Sequence, residues 1–282
     1  MNITIKRHKI HVNGAAVDYR QTPNGSGVIK PIAQIMHHTA SGVTPGGDIS
    51  WFTSPRAKAS AHTLIARDGT ITQFQALNRR TWHAGRSKYQ GRSGCNAFTI
   101  GHEIDNPGQL RKLADGRFKG VGGTYEPEDI VEMSSPNHGN LRYWLEFTDR
   151  QLETVFELAL AIDKHYGLGG KVATHWEISP GRKVDTGPHF PLESLRGLLD
   201  GRGDYKPTID KDTGEEIDGI VIARGGLNLR AWPTLKDNVI KTLPHRTGVD
   251  LVRSITNENG EWLLVNVGDE TGWVSRPYVD LV

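Results

Sequence analysis

Among the twelve histidines of this 282-residue chain, two close short apolar runs of strand type, where loops can build a site: His37 and His175. Asp185 follows His175 within Ser179-Pro180-Gly181-Arg182-Lys183-Val184-Asp185-Thr186-Gly187-Pro188. Two imidazoles and a carboxylate, with a fourth position open to water, form a recurrent catalytic zinc arrangement. Spacing alone does not establish it, because a strand-end histidine is more often a hydrogen-bonded structural residue.

The elements that must position these groups are legible by period and punctuation. Lys9–Val12 and Ala15–Tyr19 flank Asn13-Gly14, which favours a type I′ turn, so residues 1–30 read as an edge hairpin. Ile32–His37 reads as a strand running into the polar loop His38-Thr39-Ala40-Ser41-Gly42, and a short helix holds Ile49, Trp51 and Phe52. Ala61–Ala66 and Thr70–Phe74 form a second hairpin about Asp68-Gly69. Phe98–Asp105 is a strand with Ile100, His102 and Ile104 on one face and Gly101, Glu103 and Asp105 on the other.

Residues 107–147 show no clean period and read as a long excursion over one face. A helix starts at Thr148 as N-cap, with Gln151 completing a capping box. It continues through Leu152, Val155, Phe156, Ala159, Ile162 and Tyr166 to Gly167. Val172–His175 is a short strand and Pro191–Leu199 a closing helix. Strands mixed with helices give an α/β domain over residues 1–200.

A charged, glycine-containing stretch over 201–218 reads as a linker. Six short strand-like runs follow within residues 219–282: Gly219–Ala223, Leu227–Arg230, Val239–Leu243, Val249–Arg253, Trp262–Val267 and Thr271–Val274. They suggest a small β-barrel.

Composition narrows the function classes. A hydrophobic content of 36% supports a packed core, and a net charge of +2 is far from the basic footprint of a nucleic-acid binder. The single cysteine, Cys95, allows no internal disulfide and reads as a small buried residue. No stretch has the length of a membrane span, and Met1–His8 lacks the apolar run of a signal peptide. The expectation is a product of cytoplasmic synthesis without membrane insertion.

Five motifs occur in one order: Ile35-Met36-His37-His38-Thr39-Ala40; Ser60-Ala61-His62-Thr63-Leu64-Ile65 with Arg67-Asp68-Gly69; Thr81-Trp82-His83-Ala84-Gly85; Cys95-Asn96-Ala97-Phe98-Thr99-Ile100-Gly101-His102-Glu103; and His175 through Pro188. Over about residues 30–200 the chain closely resembles the type-2 N-acetylmuramoyl-L-alanine amidases, the AmpD-like family related to animal peptidoglycan-recognition proteins. The resemblance implies a mixed central β-sheet flanked by helices and one Zn²⁺ per chain. It makes His37, His175 and Asp185 the ligands. His37 is preferred to His38 because the ligand in the family it resembles is the first residue after the apolar strand, and alternation agrees, since His37 shares a face with Ala33 and Ile35.

The same resemblance makes Glu103 the general acid/base and Lys183 the group that stabilises the tetrahedral oxyanion. His62 and His83 match positions lining the cleft, although His62 could instead hydrogen-bond across its hairpin. Arg86 and Asn96 are candidates for stem-peptide carboxylates or amides, since the arginine fork suits carboxylates. His102 stands where the family usually carries an aliphatic residue, and alternation points it into the core. His138 reads as a surface residue of the excursion.

Residues 219–282 resemble a bacterial SH3-type (SH3b) domain through Gly226–Pro233, Trp262–Val265, Thr271–Val274 and Tyr278. The resemblance implies a wall-binding module, with Trp232 and Tyr278 suited to a shallow peptide groove. Trp262 and Trp273 are expected to fill its core. The implied partners are peptidoglycan or muropeptides, cut between muramic acid and L-alanine by a phage-type lysin or by a wall-remodelling or recycling amidase. The other reading is a peptidoglycan-recognition module without activity. Nothing in the sequence fixes the oligomeric state.

Overall fold

The computed structural model describes residues 2–39, 44–135, 137–199, 218–235, 238–257, 259–268 and 270–281. The chain divides into two compact units, Met1–Gly201 and Arg202–Val282. Apart from Asp218, the stretch read as a linker lies outside the described residues. No helix among the described residues is long and apolar enough to cross a membrane.

The first unit is organised by a six-stranded sheet of β1 (Asp18–Tyr19), β2 (Ala33–Thr39), β3 (Thr63–Ile65), β4 (Ile71–Gln73), β5 (Thr99–Asp105) and β6 (Val172–Thr174). Their order is β6-β2-β5-β3-β4-β1, with only the β3–β4 hairpin antiparallel, so the sheet is mixed. Parallel strands need crossovers and are buried on both faces. All seven residues of β5 are buried, as are Ala33–His37 of β2.

Helices α1 (Pro45–Phe52), α2 (Asp149–Tyr166), α3 (His175–Ile178) and α4 (Leu192–Leu199) complete the unit. The Thr148 hydroxyl caps α2 by accepting from the Gln151 N–H, and Gly167 ends the helix in the left-handed conformation. The expected capping box does not form. The Gln151 amide turns to the sheet instead, donating to the carbonyls of Ile65 and Asp105 at 3.1 and 2.9 Å.

The Gln34 side chain donates to the Ala159 carbonyl, which places α2 against the face of β2 opposite Ile35 and His37. His102 lies on that helix-covered side, bonded to Thr63 and Gln34. The face carrying Ile35 packs with Ala84, Cys95, Phe98, Ala173 and Ile178.

Two sequence expectations change here. The Asn13-Gly14 hairpin forms with both residues at positive φ, but its second strand is only Ala15–Ala16; Asp18–Tyr19 leaves it to pair with β4. Residues 107–147 are largely structured rather than a loop. Gln109–Lys112, Phe118–Gly120, Gly123–Tyr125, Ile130–Ser134 and Leu141–Leu145 form a five-stranded antiparallel sheet over Leu110, Phe118 and Leu145.

The second unit contains β7 (Asp218–Val221), β8 (Leu227–Arg230), β9 (Val239–Leu243), β10 (Gly248–Asn257), β11 (Gly260–Val267), β12 (Glu270–Ser275) and β13 (Val279–Leu281). They form an antiparallel sheet in the order β9-β8-β12-β11-β10-β7-β13. Its core holds Leu229, Val265 and Val274, and Trp262 and Trp273 are buried with it. Trp232 is half-buried and Tyr278 exposed.

Candidate metal centre and active site

Parallel pairing sets the site. Glu103 of β5 lies directly opposite His37 of β2, while Ala173 and Thr174 of β6 lie opposite Ile35 and Met36. His175, the next residue, therefore leaves β6 at the level of His37 and opens α3. Three adjacent strands thus deliver His37, Glu103 and His175 to one end of the sheet. This is the carboxyl end, where open α/β sheets generally carry their sites.

Asp185 joins them from the loop after α3, held by a Trp176 N–H bond to its own carbonyl. Its Oδ2 lies 2.7 Å from His175 Nδ1 and 3.6 Å from His37 Nδ1. The three candidate ligand atoms lie within 4.8 Å of one another, and all three residues are buried. Ligands about 2.0–2.2 Å from a tetrahedral Zn²⁺ stand roughly 3.3 Å apart, so the set is of the right size. His37 Nδ1 is buried without a hydrogen-bond partner. Such an orphan costs stability unless something fills its lone pair, and a cation shared with Asp185 and His175 does so. The donor set fits zinc.

Electrostatics agree with the geometry. Burial, reinforced by His175, pushes His37 down to about 3, which keeps it neutral and able to ligate. Burial also opposes ionisation of Asp185, but its close approach to the His175 and His37 rings outweighs it and holds the carboxyl well below its usual range. Glu103 behaves oppositely: burial, Asp185 and Asp48 raise it well above the ordinary carboxylate range against the pull of Lys183. Two carboxyls on one site are thus driven apart, one fixed as an anion and one able to carry a proton. Lys183 acts electrostatically on both His37 and Glu103. Its carbonyl accepts from Asn137, a residue of the excursion that the sequence did not single out.

The other candidates fare differently. His38 belongs to β2 rather than to a loop, and its ring meets the Thr186 carbonyl at 3.0 Å. His62 is fully buried, with Nε2 2.8 Å from the Arg79 carbonyl and Nδ1 accepting from the Gly101 N–H. These contacts favour its structural alternative over substrate contact. His83 lies 3.0 Å from His37, ring nitrogen to ring nitrogen. The Asn96 carbonyl oxygen is taken by the N–H groups of His83 and Ala84 at 3.1 and 2.7 Å. Asn96 therefore holds the His83-Ala84 backbone through its oxygen.

Arg86 is exposed and lines a cavity of about 430 Å³ with Lys88, Ser93, Ile178, Pro180 and Arg182. Sequence reasoning missed Arg182, whose Nη2 contacts Ser179 Oγ and the carbonyls of Arg86 and Ala84 at 2.7, 2.8 and 3.0 Å. Its place beside Lys183 was the only signal. The wall-binding candidates Trp232 and Tyr278 lie in the second unit.

Residues 30–188, more than half of the chain, match the family model described as N-acetylmuramoyl-L-alanine amidase. The chain belongs to this family. The matched segment contains all three candidate ligands, Glu103 and Lys183. The chain is 31% identical over 143 residues to the 1,6-anhydro-N-acetylmuramyl-L-alanine amidase AmpD of Escherichia coli, covering 50% of this chain and 59% of that protein. Its identity to AmpD of Haemophilus influenzae is 34% over 138 residues, covering 48% and 56%. These matches span less than two thirds of either relative. Among solved structures, the complex of Escherichia coli AmiD with anhydro-N-acetylmuramic acid-L-Ala-D-gamma-Glu-L-Lys aligns at 23% identity and a TM-score of 0.46, covering 71% of this chain and 65% of that one.

Proposed function

We propose that the first unit is a zinc-dependent amidase that hydrolyses the bond between N-acetylmuramic acid and L-alanine in peptidoglycan or its muropeptide fragments. The observation that carries this reading is the convergence of His37, His175 and Asp185 beside a buried glutamate of raised pKa. Family membership and the names of the AmpD relatives support the choice of bond.

One Zn²⁺ held by those three side chains would supply a Lewis acid that polarises the scissile carbonyl and acidifies a water. Glu103, ionised, takes a proton from the attacking water as the new C–O bond forms. It then delivers that proton to the departing L-alanine nitrogen as the C–N bond breaks. Lys183 stabilises the negative charge that develops on the carbonyl oxygen. Arg86, exposed and lining the cavity of about 430 Å³, is available to a stem-peptide carboxylate.

We read the second unit as an SH3-type wall-binding module, with Trp232 and exposed Tyr278 as contacts. Such an anchor suits intact wall better than a soluble muropeptide, which favours a lysin or wall-remodelling role over recycling.

The test is mass spectrometry of purified peptidoglycan and muropeptides after incubation with the protein, with and without a chelator. Release of intact stem peptides beginning at L-alanine, lost with chelator and restored by zinc, is the expected result. Unchanged substrates with zinc bound would overturn the proposal.

A further inference from the structure

Both candidate imidazole ligands direct their second ring nitrogen to one dipeptide. His37 Nε2 lies 3.0 Å from His83 Nδ1, and His175 Nε2 lies 3.3 Å from the Ala84 carbonyl oxygen. His83 Nε2 is 3.2 Å from the Thr99 hydroxyl, which itself donates to the Cys95 carbonyl at 2.8 Å.

These contacts set the direction of the protons from Thr99 to His37. A neutral imidazole has one N–H and one lone pair, and a hydroxyl has one proton. The Thr99 proton goes to Cys95, so the Thr99 oxygen accepts from His83 Nε2–H. His83 Nδ1 then carries the lone pair and accepts from His37 Nε2–H. What remains to His37 is the lone pair on Nδ1, the buried, unpartnered atom facing Asp185. On the other side the Ala84 carbonyl can only accept, so it favours hydrogen on His175 Nε2, leaving Nδ1 to the cation that would replace its 2.7 Å contact with Asp185 Oδ2. Arg182 Nη2 also stands 3.5 Å from His175 Nε2, but its two hydrogens are shared among the nearer oxygens of Ser179, Arg86 and Ala84.

The dipeptide is itself held in place. Asn96 accepts from both of its N–H groups, and Arg182 ties the Ala84 carbonyl to the segment that carries Lys183 and Asp185. Gly101 leaves the room that the His83 ring occupies.

We propose that His83-Ala84 is the orienting cradle for both imidazole ligands. Thr99 sets the His37 tautomer through His83, and Asn96 and Arg182 are positioning residues for the metal rather than contacts for substrate. The inference rests on the zinc reading above. Outer partners of this kind typically change metal affinity about 10–100-fold when removed.

The test uses the full chain stripped of metal, titrated with Zn²⁺ against a chromophoric chelator and with Co²⁺ followed by visible absorption. Thr99→Val and Asn96→Ala are expected to bind Zn²⁺ about 10–100-fold more weakly, with altered Co²⁺ bands, while the metal-free chain still melts cooperatively, lowered only by the cost of the stranded polar groups. Thr99→Ser, which keeps the hydroxyl, is expected to retain wild-type affinity. Wild-type affinity and Co²⁺ bands in Thr99→Val and Asn96→Ala, with only KM raised, would overturn the proposal in favour of substrate contact. Thr99→Val changes little volume and carries the test alone if Asn96→Ala fails to fold. A wild-type chain that binds no zinc would overturn the metal reading itself, a result distinct from wild-type zinc binding shared by the variants.

Discussion

Replacing Gly101 by alanine is expected to damage the metal centre without touching a ligand. A Cβ built at this position lies 2.3, 2.4 and 2.8 Å from Cγ, Nδ1 and Cβ of His83. Contacts between such atoms settle at about 3.5–4.0 Å, so the ring has to retreat by roughly 1.2 Å. That motion opens the 3.0 Å His37–His83 bond to about 4 Å, beyond hydrogen-bond range. Overpacking of this kind costs about 1–3 kcal/mol, and the stranded His37 N–H adds a similar penalty. A domain of this size loses about 2–4 °C of Tm per kcal/mol. Calorimetry of the metal-free chain is therefore expected to show Gly101→Ala melting at least about 4 °C lower, and chelator competition to show weaker zinc binding. Wild-type Tm together with wild-type zinc affinity would refute the argument, because it would mean that His83 moves aside freely and that its bond to His37 does not matter.

Three further outcomes follow from the site and its surroundings. Glu103 has its carboxyl raised well above the ordinary range, so its contribution to stability is present when protonated and is lost as pH rises through the raised pKa. Metal-free Glu103→Gln should therefore out-melt wild type by a margin that grows with pH, while turnover falls about 10²–10⁴-fold; thermal scans across pH giving parallel curves would contradict this. Lys183→Met should lower kcat by about 10²–10³ with KM little changed, and steady-state kinetics showing only a KM effect would assign the lysine to binding instead. Burial holds His62 at about 4 and His102 at about 3, so each contributes stability above the unfolded value near 6.5 and loses it as pH falls. At pH 5 each loss is about 2 kcal/mol. Urea unfolding of His102→Gln should therefore lose about 2 kcal/mol less than wild type between pH 7.5 and 5, and an unchanged pH dependence would count against the buried neutral histidine.

Features set by short-range chemistry were legible in the sequence. Thr148 and Gly167 bound α2 because a hydroxyl cap and a left-handed glycine are local devices. Asn13-Gly14 turns its hairpin because both residues accept positive φ. The apolar runs ending at His37 and His175 are strands or strand ends because a buried parallel strand reads as continuous apolar sequence. Residues 107–147 escaped because their strands are three to five residues long, broken by glycines, and too short for a period to emerge. The Gln151 capping box failed because a long amide can equally reach two strand carbonyls that the local sequence does not reveal.

The sequence by itself determined which chemical groups are present and which strands carry them. Tertiary structure alone decided what they meet. The opposition of Glu103 and His37 depends on parallel pairing between strands far apart in the chain, with register set by burial of both sheet faces. The same packing turned Asn96 toward backbone and enclosed His62, while bringing Thr99, His83 and Arg182 around the ligands. A polar side chain does not encode its partner; the backbone that surrounds it after folding supplies one, because a buried donor or acceptor must be satisfied.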